Sequence, residues 1–95
     1  MTTETMIALL KLRLGIASST RDTYLLHLLD STAKMLDDEK GINVDLANDL
    51  IANFIINYSA WVYESKGEMG GMPRHLQYAL HNLMIHNLKV VDESV

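Results

Sequence analysis

Ninety-five residues, with 48% hydrophobic and only 6% aromatic side chains, describe one small domain packed by aliphatic groups. The absence of cysteine excludes a disulfide framework, a thiol nucleophile and a zinc-thiolate centre. A net charge of −4 gives the chain no general electrostatic reason to seek phosphate backbones.

One proline and five glycines leave long uninterrupted segments, which favours helices over a many-turned β fold. The first helix is expected over residues 4–14. Thr3 is its expected cap, Ile7, Leu10 and Leu14 share a face, and Lys11 and Arg13 sit where the helix dipole favours cations. Gly15 then supplies a left-handed stop. The stretch "MTTETMIALLKLRLG" has the wrong charge order for a signal peptide, and no small-residue cleavage site follows it.

"SSTRD" opens a second helix, expected over residues 20–36, with Ser19 and Asp22 spaced as a capping box. Leu25, Leu28, Leu29, Thr32 and Leu36 recur at helical spacing, with His27, Asp30 and Lys34 on the wet side. Asp30 and Lys34 are spaced for an ion pair worth about 0.3–0.5 kcal/mol. "DDEKG" closes the helix at Gly41, and its acidic residues Asp37, Asp38 and Glu39 read as a solvated helix end beside Lys40.

The third helix is expected over residues 45–66, opened by Asn43 or Asp45. Leu46, Leu50, Phe54, Tyr58, Trp61 and Val62 form one face, which Ile51, Ile55 and Ile56 widen. Only Asp49, Asn53, Asn57 and Glu64 make a polar stripe, and a helix apolar nearly all round is central, with neighbours on several sides. Its apolar run, residues 50–63, is broken by Asn53 and Asn57 and is shorter than the ~20 residues a bilayer requires, so the chain is expected to be soluble. "KGEMGGM" is a loop, and Pro73 sits in the first turn of a fourth helix, expected over residues 73–88. The fold expected is all-α, a compact bundle of about four helices in a single domain, residues 1–88. A short tail, residues 89–95, follows.

Three of the four histidines lie in "HLQYALHNLMIHNL". His81 and His86 are about 140° apart around a helix, and His75 and His86 share a side but lie about 16 Å apart along the axis. None has the i,i+4 spacing of an intrahelical metal pair, and the doubled His-Asn-Leu has a period that fits neither helix nor strand. No G-x-S-x-G elbow is present, and the glycines at 67, 70 and 71 are not followed by Gly-Lys-Ser/Thr. The reading is therefore of a chain with no catalytic, metal or cofactor residues. As a DNA-reading helix the fourth would bring only Arg74 and, past its end, Lys89.

What remains is interaction surface. Leu76, Ala79, Leu80, Leu83 and Met84 should face the core, while Tyr78 and Ile85 point to nearly the opposite side, with His81 and Leu88 along the edge. A second apolar strip in so small a domain, with loop methionines that repack easily, points to a subunit interface. Met69, Met72, Arg74, Tyr78 and Ile85 are its expected members, together with Val90 and Val91 of the tail, which has no helix of its own and is expected to dock on a neighbouring subunit or on another protein of the assembly.

The succession "LLKLRLGI", "RDTYLLHLLDSTAKML", "LANDLIANFIINYSAWVYESKG" and "GGMPRHLQYALHNLMIHNLK" resembles the small head-tail connector proteins of tailed phages and prophages, also called head completion or adaptor proteins. The resemblance covers roughly residues 6–89, and "LKLRLGI" and "GMPRHLQYALHNL" carry most of it. It implies a helical bundle without enzymatic activity or cofactor. Such a protein forms a homo-oligomeric ring on the portal protein, extends the channel through which phage DNA passes, and docks the tail or a stopper (tail-completion) protein. The implied location is the virion neck, and the host cytoplasm during assembly. A free chain can be monomeric if the portal templates the ring. A head-to-tail ring needs two complementary patches per subunit, and an acidic channel wall would not retain DNA. The competing reading is a small helical regulator, either DNA-binding or a protein-binding module.

Overall fold

The computed structural model describes residues 1–65 and 71–87. Among them the chain forms four helices and no strand: α1 (Thr3–Leu14), α2 (Asp22–Asp38), α3 (Asp49–Ser65) and α4 (Arg74–Asn87). The all-α bundle is as the sequence predicts; its boundaries differ where side chains bond differently from expectation.

Thr2 rather than Thr3 caps α1: it is extended, and its hydroxyl accepts from Thr5 N at 3.1 Å. Gly15 ends the helix at φ 72°, with Gly15 N donating to Leu12 O and Ile16 N to Lys11 O. The capping box expected from Ser19 and Asp22 does not form. Ser19 offers only its carbonyl to Asp22 N, and the Asp22 carboxylate pairs instead with Lys11 Nζ at 2.9 Å. In the first turn of α2 that carboxylate still faces the positive end of the helix dipole, and it now also ties α2 to α1. Asp30 and Lys34 are both exposed and do not form the ion pair expected from their spacing, because the entropy lost in ordering two solvated side chains offsets the weak attraction.

Gly41 (φ 65°) reverses the chain after α2, and Ile42 N bonds back to Leu36 O at 3.0 Å, which delivers Ile42 fully buried into the core. Asp38 and Glu39 are exposed as expected, whereas Asp37 is half-buried. The third helix starts at Asp49, not at residue 45. Asp45 Oδ1 accepts from Ala47 N at 3.0 Å and Asn48 Oδ1 from Leu50 N at 3.0 Å, so two successive side-chain turns hold residues 45–48 out of the helix. Leu46 is thereby outside it. Leu50, expected on the packed face, is 70% exposed.

As expected of a helix apolar nearly all round, α3 packs against the other three. Its Ile51, Ala52, Ile55, Ile56, Ser59 and Ala60 are buried, facing the α2 set Leu25, Leu28, Leu29, Thr32 and Leu36 and the α1 pair Met6 and Leu10. The order of contacts makes α2 and α3 antiparallel: Arg21 donates to the Tyr63 hydroxyl at one end, and Thr32 meets Ser59 further along. Tyr24 stacks obliquely on Tyr63, ring centroids 6.1 Å apart, and the Arg21 guanidinium lies 5.8 Å from the same ring. Asn48 Nδ2 donates to Asn87 Oδ1 at 3.2 Å, so α4 runs antiparallel to α3. α4 approaches α3 and neither of the other two helices. The extents, 51 × 30 × 17 Å, leave room for about two layers of helices ~10 Å across in the thin direction.

Candidate interaction surface

α4 is two-faced because its apolar residues fall on two stripes. Leu76, Leu80 and Leu83 are buried against α3, and Ala79 and Met84 are half-buried beside them. Tyr78 and Ile85 are 63% and 58% exposed. Of the other residues expected at an interface, Arg74 is exposed at the start of α4, whereas Met72 is half-buried against the core, its carbonyl accepting from Gln77 Nε2. Met69, Val90 and Val91 lie outside the described residues.

The histidines are all exposed, and His27 meets only Ser31 Oγ, at 3.4 Å. Among the described residues no three His, Asp or Glu side chains are grouped as a metal would need. No described helix is long and apolar enough to cross a membrane.

The sequence reading missed a cleft of about 410 Å³ between α3 and α4. Phe54 and Leu83 form its floor, Asn53 and Asn57 one wall, and Asn82 and His86 the other. Leu50 stands at its rim, and the Asn48–Asn87 hydrogen bond spans one end. The side chains of Asn53, Asn57, Asn82 and His86 make no hydrogen bond to another described residue, so their donors and acceptors are available to a visitor. The lining contains no Asp, Glu, Lys or Arg. It offers apolar surface edged with amides and with the imidazole of His86.

The cleft and the outer stripe of α4 are neighbours. Tyr78, Asn82 and Ile85 are four and three residues apart, so Asn82 in the wall lies on the same helix surface as Tyr78 and Ile85, roughly 40–60° away from each around the axis. The exposed apolar pair read from the sequence is thus the shoulder of a concave surface. The available signal was Asn53 and Asn57, four residues apart on an otherwise apolar helix.

A further apolar face lies on α1. Leu12 is 78% exposed and Leu9 37%, with Ala8 and Thr5 exposed beside them. Their spacings place the four on one side of the helix, away from buried Met6 and Leu10. Comparison of the chain with protein-family models, with curated proteins and with solved structures gives no match.

Proposed function

We propose that this chain is a non-enzymatic structural protein, a head-tail connector of a tailed phage or prophage. It assembles as a ring on the portal, continues the DNA channel and presents a docking site for the tail or a stopper protein. The reading rests on the order of sequence segments that resembles the connector family. One structural observation supports it: a four-helix chain this small leaves two separate, uncharged apolar faces uncovered, one on α1 and one along α3 and α4. A subunit of a closed head-to-tail ring needs two such faces, since each of its contacts joins unlike surfaces.

The charge distribution favours this reading over a DNA-binding regulator. Within α4 the one fixed cation is Arg74; Lys11 is held by Asp22, Arg21 bonds to Tyr63, and the exposed Arg13 and Lys34 stand singly on α1 and α2. The described residues therefore form no basic stripe along a helix.

The test is to mix the full chain with the portal protein of the same phage and image the product. A second ring stacked coaxially on the portal is the expected result. An undecorated portal, together with tight duplex binding that falls steeply with salt, would replace the connector with the regulator.

A further inference from the structure

We propose that the cleft between α3 and α4 receives the outer face of α1 from a second copy of this chain. The inference deepens the connector reading and rests on it for closure of the contact into a ring; the contact itself stands on the two faces.

Chemical match comes first. The cleft is apolar at its floor, amide-edged and free of charged lining residues. The exposed side of α1 carries Thr5, Ala8, Leu9 and Leu12, also uncharged, in a chain where 21% of residues are charged. Among the described residues Leu12 is the most exposed large hydrophobic and Leu50, at the rim of the cleft, the next. Burying each against the other removes the two largest apolar exposures together.

Geometry then excludes self-filling. α1 packs on α2 and α3 and makes no close approach to α4, so α1 cannot turn its outer face into its own chain's cleft without leaving the core, where Leu10 is fully buried. The contact therefore joins two copies through unlike surfaces.

Charge sets the direction. Arg13 is exposed at the C-terminal end of the α1 face and has no described partner. Asp45 and Asp49 are exposed at the end of the cleft that holds Asn48 and Leu50. The opposite end of the lining, at Asn57 and Ala79, carries no fixed charge, and Arg74 and Glu64 beyond it are of opposite sign. The visiting α1 lies with Arg13 toward Asp45 and Asp49, parallel to α4 and antiparallel to α3. Two clefts facing each other with their helices parallel would instead bring Asp49 toward its own copy, which like-charge repulsion disfavours. One helix face is a small interface, below the ~1,200–2,000 Å² of stable complexes, so the single contact is weak and gains strength only when a ring closes.

Disulfide trapping accumulates weak contacts, and with no native cysteine every disulfide is assignable. Leu12→Cys and Leu50→Cys change exposed positions, as does the control Ser31→Cys on α2. In equimolar mixtures of full-length variants under mild oxidation, the 12–50 heterodimer should form about tenfold faster than the 12–31 heterodimer, through the higher effective concentration of a docked pair. Arg13→Asp should slow it, and adding Asp49→Arg on the partner should restore it. Equal 12–50 and 12–31 rates overturn the proposal, and a dominant 50–50 product shows that clefts meet clefts instead. The two readings fail separately. Trapped 12–50 dimers without portal attachment remove the connector role alone, whereas an intact portal-bound ring built from Leu12→Glu removes this contact alone.

Discussion

The Ser59 hydroxyl meets Thr32 Oγ1 at 3.2 Å inside the α2–α3 interface, with both side chains buried. Thr32 Oγ1 donates to Leu28 O at 2.9 Å, so Ser59 must donate to Thr32, and the two hydroxyls form a short relay ending on the helix backbone. Removing the members should not cost equally. Ser59→Ala leaves Thr32 bonded to Leu28 and should cost about 0.5–1.5 kcal/mol. Thr32→Val strands the buried Ser59 donor and should cost about 1–3 kcal/mol, while the double variant recovers part of that loss. A double-mutant cycle by urea denaturation checks this; strictly additive losses would show that no relay exists.

Core and surface leucines of α1 should separate sharply. Leu10→Ala opens a cavity at a fully buried position and should cost about 2–5 kcal/mol, a large part of the stability of a domain this size. Leu12→Ala, at 78% exposure, should change the midpoint of denaturation by less than about 0.5 kcal/mol equivalent.

Glycines at similar-looking helix boundaries should respond with opposite sign. At Gly15 and Gly41 a β-carbon would meet no atom within 4 Å, but φ of 72° and 65° strains any L side chain, so alanine there should destabilise by about 1 kcal/mol. Gly71 has equal space and no left-handed φ. Gly71→Ala should be neutral or stabilise by up to about 1 kcal/mol through the unfolded chain's entropy. Thermal melts of the three variants decide it.

On the outer stripe of α4, Tyr78→Glu or Ile85→Glu should leave the circular dichroism spectrum and melting temperature of the free chain nearly unchanged, since both positions are more than half exposed. Either should reduce recovery of the chain on portal-bearing capsids in a sedimentation assay. Loss of the folded signal instead would assign that face to the core.

Much of the fold was legible because punctuation and periodicity agree. Gly15, Gly41 and Pro73 divide the chain, and the α2 pattern Leu25, Leu28, Leu29, Thr32 and Leu36 is the buried set of that helix. What failed were choices between local partners that only the fold decides. Asp22 could have capped its own helix, but Lys11 stands within reach across the α1–α2 interface. Asp45 reads as a cap or as a turn-former with equal ease; it forms a turn with Ala47, and Asn48, bonded to Leu50 N, takes the capping place before Asp49. Ile42 gave no periodic signal, since it reaches the core from a connection through one backbone bond to Leu36. The cleft was illegible for a similar reason: Asn53 and Asn57 announce a wet side of α3, but where α4 crosses decides whether that side is open or walled.

Because α3 is the one described helix that α4 packs against, with a backbone bond from Asn43 N to Asn87 O beside it, the amides of α4 are less guarded than those of α2 and α3, each packed by two or more helices. Hydrogen exchange should therefore rank the helices: α4 opens as a unit while α1, α2 and α3 stay closed, at a free energy set by burial of Leu76, Leu80 and Leu83 together with the bonds of Asn87 to Asn48 and to Asn43 N. A ligand that bridged the cleft would slow exchange in α4 first, making this helix the natural reporter of whatever docks there.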